Sequence, residues 1–423
     1  MAKVLLVKPL FPYPPTQGTR RVSLALLEDL ATEHEVVYLC QRENEAEAGH
    51  IGKIEALGAR VIAPLMPNHR SPAHKVCYKV QNLLQSRCTG VPALCYYWSN
   101  RVLRAGLHRL MDEFRPDLTI LENWETFRLR DAVTIGIPAL LAHDAAFQIL
   151  ERAAQAAEGT PRHAALADTA RRYKELEVAA WARFPNILCL TQDDEATIRR
   201  ELAAYRGPVA GLSEAGAGVP LIQHLEVPVP GELFDAPRPP RPGWRIGFMG
   251  SFRADFNQDA LAFILEEIWP RVRQREPRSE LHIAGNGYEG DLKSRATAAG
   301  ARWLGYVDEL AGYFAGIDLL IVPLRFGGGV RIRILEALAA AVPVVATRVA
   351  VAGLPLEGGT HLAVADGADA FAEEIIGLLA DANRARGLGE AGRAWCFDRH
   401  SPAVLRPRRL ATIRRILEEG GAR

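Results

Sequence analysis

Between Pro323 and Thr347 the chain reads Pro-Leu-Arg-Phe-Gly327-Gly328-Gly329-Val-Arg331-Ile-Arg333-Ile-Leu-Glu336-Ala-Leu-Ala-Ala-Ala-Val-Pro-Val-Val-Ala-Thr. Three bare glycines, two guanidiniums and a carboxylate thus follow one another closely. The apolar run Asp318–Val322 before them predicts a buried strand, the glycines a loop, and Val330 to Ala340 a helix whose first N–H groups have no partners within the helix. A helix N-terminus attracts phosphate, and glycines let the phosphate come close. Arg331 and Arg333 add fixed positive charge to the first turn, and Arg333 and Glu336, three apart, can share one helix face. A cation and an acceptor on one face suit a diphosphate joined to a ribose. The alternative is an ordinary strand-to-helix loop with a solvated ion pair on its helix.

A second set of candidates follows other strands. His143 and Asp144 come just after a run ending at Leu141. A polar pair beyond a buried strand's carboxyl end reaches the place where open α/β sheets bind ligands, and a neutral imidazole there can bond a sugar hydroxyl or buffer a proton. Trp124 and Glu125, after the preceding strand, line a ligand pocket by the same logic, with Glu122 and Glu151 as weaker candidates. The loop Lys8-Pro-Leu-Phe-Pro-Tyr-Pro-Pro-Thr-Gln-Gly18-Thr-Arg20-Arg21 leaves the first strand and leads into a helix with Thr19 at its cap.

The elements that must hold these residues alternate almost throughout. Val4–Val7, Glu35–Cys40, Arg60–Ala63, Asp117–Leu121, Pro138–Leu141 and Ile187–Leu190 are short apolar runs with helical patterns between them, the signature of parallel sheets covered on both faces. Between Glu226 and Gly243 six prolines fall in eighteen residues, which predicts an interdomain linker. A second alternation runs from Trp244 to about Trp395, and a last helix covers about Pro402 to Glu419.

Composition narrows the function classes. The chain has 423 residues, enough for two domains, and 48% hydrophobic residues allow each a core. A formal charge of +1 argues against broad nucleic-acid binding. The six cysteines include no Cys-x-x-Cys pair, so reduced core thiols in a cytosol are expected rather than zinc or a disulfide framework. The opening run Met1–Pro9 is too short for a signal peptide, and no apolar stretch spans a bilayer. No Asp-x-Asp triplet offers a divalent-ion site, and Gln192-Asp193-Asp194 reads as a helix cap.

The stretch 327–347 resembles the donor-site signature of the family 4 retaining glycosyltransferases of the GT-B fold, in the subgroup reading Gly-Gly-x-Arg-x-(Lys/Arg)-x-x-Glu-Ala followed by Pro-Val-Val-Ala-Thr. Phe248-Met-Gly250-Ser251-Phe, with Asn257 beyond it and Ile268-Trp-Pro270 closing the next helix, is similar to the first strand, loop and helix of that family's donor domain. Leu281-His-Ile-Ala-Gly285-Asn-Gly287 and Leu304-Gly-Tyr-Val-Asp-Glu309 resemble its second and third elements, in order. His143 is similar in position to the family's active-site histidine, and Gly18 and Arg20 stand at matching places in its acceptor loop.

The resemblance implies an α/β protein of two Rossmann-like parallel-sheet domains facing a central cleft. Residues 1–225, joined by the helix 402–419, would take the acceptor, 226–243 would be the linker, and 244–400 would take the donor. It implies transfer of a sugar from a nucleoside-diphosphate sugar to a saccharide or lipid-linked acceptor with retention of configuration, no metal, and no cofactor beyond that co-substrate. Arg253 and Arg333 would grip the diphosphate, Gly250, Ser251 and the amides of Gly327 to Gly329 would surround it, with Gly285 and Gly287 in the same set, and Glu336 would accept ribose hydroxyls.

Two departures matter. Many relatives carry two glutamates separated by seven residues around this loop; Glu336 fills the second place, but the first falls on Gly328. The family's basic pair in the first donor loop is reduced to Arg253, with Arg331 and Arg333 read as replacing the missing charge. Two rival readings therefore stand beside transfer: a GT-B sugar-nucleotide epimerase, and a catalytically silent nucleotide-sugar-binding partner. A dinucleotide dehydrogenase is disfavoured because Lys8-Pro-Leu-Phe-Pro lacks spaced glycines. The expected location is cytoplasmic, with peripheral contact at the inner membrane face left open. Arg406, Arg408, Arg409, Arg414 and Arg415 are read first as a solvated helix face and only second as a lipid contact.

Overall fold

The computed structural model describes residues 1–15, 18–67, 72–207, 220–235, 244–287, 290–327 and 330–421. They form two compact units: Met1–Pro15, Thr19–Glu226 and Arg406–Arg423 make one, and Val227–Leu405 is the body of the other.

The first unit is built on seven parallel strands: β1 (Lys3–Val7), β2 (Glu35–Leu39), β3 (Arg60–Ile62), β4 (Leu118–Glu122), β5 (Ile137–Ala142), β6 (Asn186–Cys189) and β7 (Leu221–His224). Their order is β3-β2-β1-β4-β5-β6-β7. Central strands of such a sheet are covered on both faces, which is why β4 is buried at every residue, Thr119 and Glu122 included. Edge strand β7 escapes the sequence reading because Leu-Ile-Gln-His has too few apolar residues to stand out. The order reverses between β1 and β4, which pair in parallel with Val7 opposite Leu121. That reversal opens the crevice in which doubly wound sheets bind ligands.

The second unit has six parallel strands: β8 (Arg245–Met249), β9 (Glu280–Ala284), β10 (Arg302–Gly305), β11 (Leu319–Val322), β12 (Val344–Ala346) and β13 (Ala363–Val364), in the order β10-β9-β8-β11-β12-β13. Here the reversal lies between β8 and β11. The expected linker is in part core: Val229, Leu233 and Phe234 are buried in the second unit's hydrophobic cluster, because apolar side chains stand between the prolines of this segment. Residues 236–243 of that linker lie outside the described residues. The helix expected to close at Pro270 instead continues to Arg275, through one widened turn at Ile264–Ile268. A π-type turn just before proline relieves the clash its ring makes in a regular helix.

The last helix, Pro402–Gly421, returns the chain to the first unit. Leu410, Ile413 and Ile416 are buried, and Asp29 receives both Arg406, at 2.9 Å, and Arg409, at 3.2 Å. Arg414 faces Glu33 and Arg415 pairs with Glu419, so four of the five arginines once weighed as a lipid contact are engaged with carboxylates. Among the described residues no helix is long and apolar enough to cross a membrane.

Candidate functional site

In the second unit, loops leaving the neighbouring strands β8, β9 and β11 converge. Gly250 follows β8 and lies beneath the Arg333 guanidinium: a Cβ there would stand 2.8 Å from Arg333 Nη1 and 2.9 Å from Asn257 Cγ. Only glycine permits that approach. Arg333 Nη1 donates to the Met249 carbonyl, and Nη2 donates to Asn257 Oδ1 at 2.9 Å. Asn257 is 1% exposed and in turn donates to the Ser251 carbonyl at 2.8 Å. One guanidinium, one amide and two loop carbonyls therefore lock the end of β8 to the helix Ile332–Ala339.

Gly285, after β9, has φ +147°, and a Cβ there would overlap the Gly250 carbonyl oxygen. The loops of β8 and β9 can touch only because both residues lack side chains. Gly287 lies against the Arg253 stem, and Gly327 against the Arg331 guanidinium, which sits 5.3 Å over the Phe256 ring. Arg331 is nearly buried and occupies the N-cap rather than the first turn, since the helix starts at Ile332. Glu336 is fully buried on that helix. Gly328 and Gly329 lie outside the described residues. Gly250, Ser251, Arg253, Gly285, Gly287, Gly327, Arg331 and Arg333 are thus brought to one place by three loops and one helix start. Phe256 and Asn257 complete it; the first carries no polar signal in the sequence.

In the first unit a charged network sits at the β1/β4 reversal. Lys8, one residue past β1, donates from Nζ to Glu122 Oε2 at 2.8 Å, and Ser23 Oγ donates to the same oxygen. His143 Nε2 lies 3.0 Å from that oxygen as well. Lys8 is 3%, Glu122 0% and His143 4% exposed. Burial alone would raise the Glu122 carboxyl, but the Lys8 ammonium and the His143 hydrogen bond outweigh it and hold it at about 2. An ionised carboxylate has no proton to give, so His143 carries its hydrogen on Nε2. Burial, chiefly, lowers the His143 pKa, and Lys8 adds to the effect, so the ring is neutral near pH 7 with a lone pair on Nδ1. Nδ1 has no hydrogen-bond partner among the described residues. Sequence reasoning found His143, and Glu122 as a weaker candidate, but not that the two meet Lys8 and Ser23; the available signal was a lysine and a glutamate closing two apolar runs that pair in the sheet.

Asp144 lies beside two buried carboxyls. Burial first, and then the Asp144 charge, push Glu125 up to about 8. Glu177, fully buried, accepts the N–H groups of Ala146 and Phe147 at 2.9 Å each, and so caps the helix Ala146–Ala156 that follows His143 and Asp144. Other expectations change. Trp124 is 2% exposed, stacked on Phe127 and edge-on to Tyr173, so its ring serves the core instead of lining a pocket. Gly18 itself starts the helix Gly18–Ala31, which places Thr19 inside the first turn rather than at the cap. Arg20 Nη1 donates to the Pro14 carbonyl of its own loop at 3.2 Å. The helix Gln192–Ala204 is capped one residue earlier than expected, by Thr191, whose Oγ1 accepts the Asp194 N–H at 2.9 Å, while the Asp194 carboxylate accepts from Thr191 Oγ1 and from the Ala145 N–H.

Residues 243–381 match the family described as Glycosyl transferases group 1. Over 144 residues the chain is 35% identical to the GDP-mannose-dependent alpha-(1-6)-phosphatidylinositol monomannoside mannosyltransferase of Mycolicibacterium smegmatis, a match that takes in 30% of this chain and only 38% of that protein. Anabaena HepE, solved in complex with UDP and glucose, superposes with a TM-score of 0.66 at 13% identity, covering 98% of this chain and 99% of its own. The sucrose-phosphate synthase of Thermosynechococcus elongatus gives 0.67 at 13% identity, covering 99% and 100%. At such identities the likeness is one of fold. The chain has the GT-B architecture of two parallel-sheet α/β units.

Proposed function

We propose that the chain is a glycosyltransferase that takes a sugar from a nucleoside-diphosphate sugar held by the second unit and passes it to a saccharide or lipid-linked acceptor held by the first, with retention of configuration and without a metal. The observation that carries the reading is Arg333, fixed over Gly250 by Met249 and Asn257 where three loops meet at the β8/β11 reversal. A guanidinium held in place before the ligand arrives stabilises charge on a departing diphosphate without reorganising, the service a divalent cation gives elsewhere. Arg253 and Arg331 add charge from the flanking loops, and Glu336 accepts ribose hydroxyls. In the first unit, Glu122 and Lys8 hold His143 as a neutral ring whose Nδ1 accepts a sugar hydroxyl, with Asp144 beside it. The match to a GDP-mannose-dependent enzyme and the UDP in HepE support a nucleoside-diphosphate donor, with guanosine and uridine both to be tried.

Titration calorimetry with GDP and UDP on the whole chain, with excess chelator present, should show one of them binding. Turnover of its sugar nucleotide should then survive chelation and give a product whose anomeric configuration, read by NMR, equals the donor's. Activity lost in chelator and restored by magnesium or manganese, or an inverted product, would sink the corresponding part. Tight diphosphate binding with no transfer to any acceptor would favour a silent binding partner, a reading that Gly328 at the first glutamate's place keeps alive.

A further inference from the structure

The helix Pro72–Thr89 is amphipathic in the reverse sense. Tyr78, Asn82, Ser86 and Thr89 fall on one face at helical spacing, and that polar face is the sheltered one. Asn82 is buried, Tyr78 packs on Tyr97 with ring centroids 5.7 Å apart, and Thr89 Oγ1 lies 2.7 Å from the Tyr96 hydroxyl. The opposite row, Val76, Val80, Leu83 and Leu84, faces water at 62%, 49%, 50% and 56% exposure. A surface helix ordinarily does the opposite, hiding its apolar stripe. Leu94, on the adjoining helix Ala93–Trp98, is exposed as well. Among the described residues, five of the eight exposed large apolar side chains gather here, which makes a patch rather than scatter.

The charge on the same helix says what covers the patch. It carries Lys75, Lys79 and Arg87 and no acidic residue. At 100° per residue Arg87 falls within the apolar row and Lys79 on its flank, while Lys75, exposed at the start of the helix, lies further round. We infer that this face docks on an anionic lipid surface, with the helix lying along the headgroups, the valines and leucines sunk among the acyl chains, and the cationic side chains reaching out to phosphate. A second copy of the chain fits less well, because apposing this face with itself sets cations against cations with no carboxylate of the helix to meet them. The inference stands apart from the transferase reading, since vesicle binding is scored without turnover.

The test is flotation of the full chain with phosphatidylcholine vesicles, plain or containing phosphatidylglycerol. The wild type should bind the anionic vesicles and not the neutral ones, and release with rising salt. Two double variants, Leu83→Asp with Leu84→Asp and Lys79→Glu with Arg87→Glu, change only exposed side chains and should keep the wild-type thermal midpoint. Each should weaken anionic-vesicle binding by about tenfold or more. Failure of the wild type to bind, equal binding to neutral vesicles, or variants that bind as well as wild type would overturn the inference. A concentration-dependent dimer abolished by the leucine pair, with vesicles ignored, would also overturn it and assign the face to a second copy.

Discussion

Glu122 shows how one residue's charge state can be set by its neighbours and then set another's. It is fully buried, yet the Lys8 ammonium keeps it ionised, and its ionised oxygen fixes which nitrogen of His143 carries the hydrogen. The same arrangement has a consequence for acid stability. The folded carboxyl titrates at about 2, whereas in an unfolded chain it titrates at about 4.3. As pH falls the unfolded state therefore takes up the proton first. The stabilisation is complete above about 4.3, is lost progressively down to about 2, and amounts to about 3 kcal/mol. His143, with its pKa lowered, acts in the same sense: below about 6.5 the unfolded chain protonates first and stability declines. Glu122→Gln should cost about 3–5 kcal/mol at pH 7, because it strands the buried Lys8 ammonium. Its deficit should shrink between pH 4 and pH 2, where the wild-type carboxyl also becomes neutral. Denaturant titrations across that range check the claim. A deficit that stays constant from pH 7 to the acid limit would mean that the carboxylate charge is not what the network uses.

At the scale of elements, the proposed donor side is a set of loops that touch only through glycine and are held by one arginine. Arg333 on the helix Ile332–Ala339 reaches the carbonyl end of β8 and the Asn257 amide on the next helix, so the geometry depends on its planar fork and not on charge alone. Arg333→Lys keeps the charge and loses the fork. It should weaken nucleoside-diphosphate binding about 10- to 100-fold while leaving binding of the free nucleoside nearly unchanged, since a charge-assisted contact contributes about 1.5–3 kcal/mol. Asn257→Ala, which removes the brace without touching the cation, should move diphosphate affinity in the same direction. Calorimetry on folded protein decides; equal affinity in both variants would reduce the pair to a structural tie. Much of this was legible beforehand. Gly250, Gly285, Gly327 and Arg333 stand out in the sequence through their ordered resemblance to the GT-B donor motifs, since a strand followed by glycines and a cation is by itself a common local pattern. Lys8, Ser23 and Glu122 were not legible as a group, since they meet only through the pairing of β1 with β4 and each alone reads as an ordinary polar residue. Trp124 misled for a related reason: nothing local to it announces that Phe127 and Tyr173 will enclose its ring.

At the scale of the whole molecule, the chain ends in the unit where it began. The helix Pro402–Gly421 contributes Leu410, Ile413 and Ile416 to the first unit and brings Arg409, 1% exposed, within 3.2 Å of Asp29 on the helix Gly18–Ala31. Burial lowers the Arg409 pKa and the Asp29 carboxylate raises it, so the guanidinium is tolerated there largely because its counter-charge is present. Removing one partner of a buried pair leaves the other uncompensated, whereas removing both can be nearly neutral. Asp29→Ala should therefore destabilise the first unit by about 3–5 kcal/mol, and the double variant Asp29→Ala with Arg409→Met should recover most of that loss. Hydrogen exchange read by mass spectrometry locates the effect. Protection in peptides from residues 1–226 and 406–421 should fall by about two to four orders of magnitude in the single variant, while peptides from Val227–Leu405 keep theirs. The second unit has its own hydrophobic cluster and no member of this ion pair, so it has no reason to open with the first. Equal loss of protection in both units would show that they unfold as one cooperative body, and a double variant no better than the single would show that the methylene packing of Arg409, rather than its pairing with Asp29, is what holds the helix down.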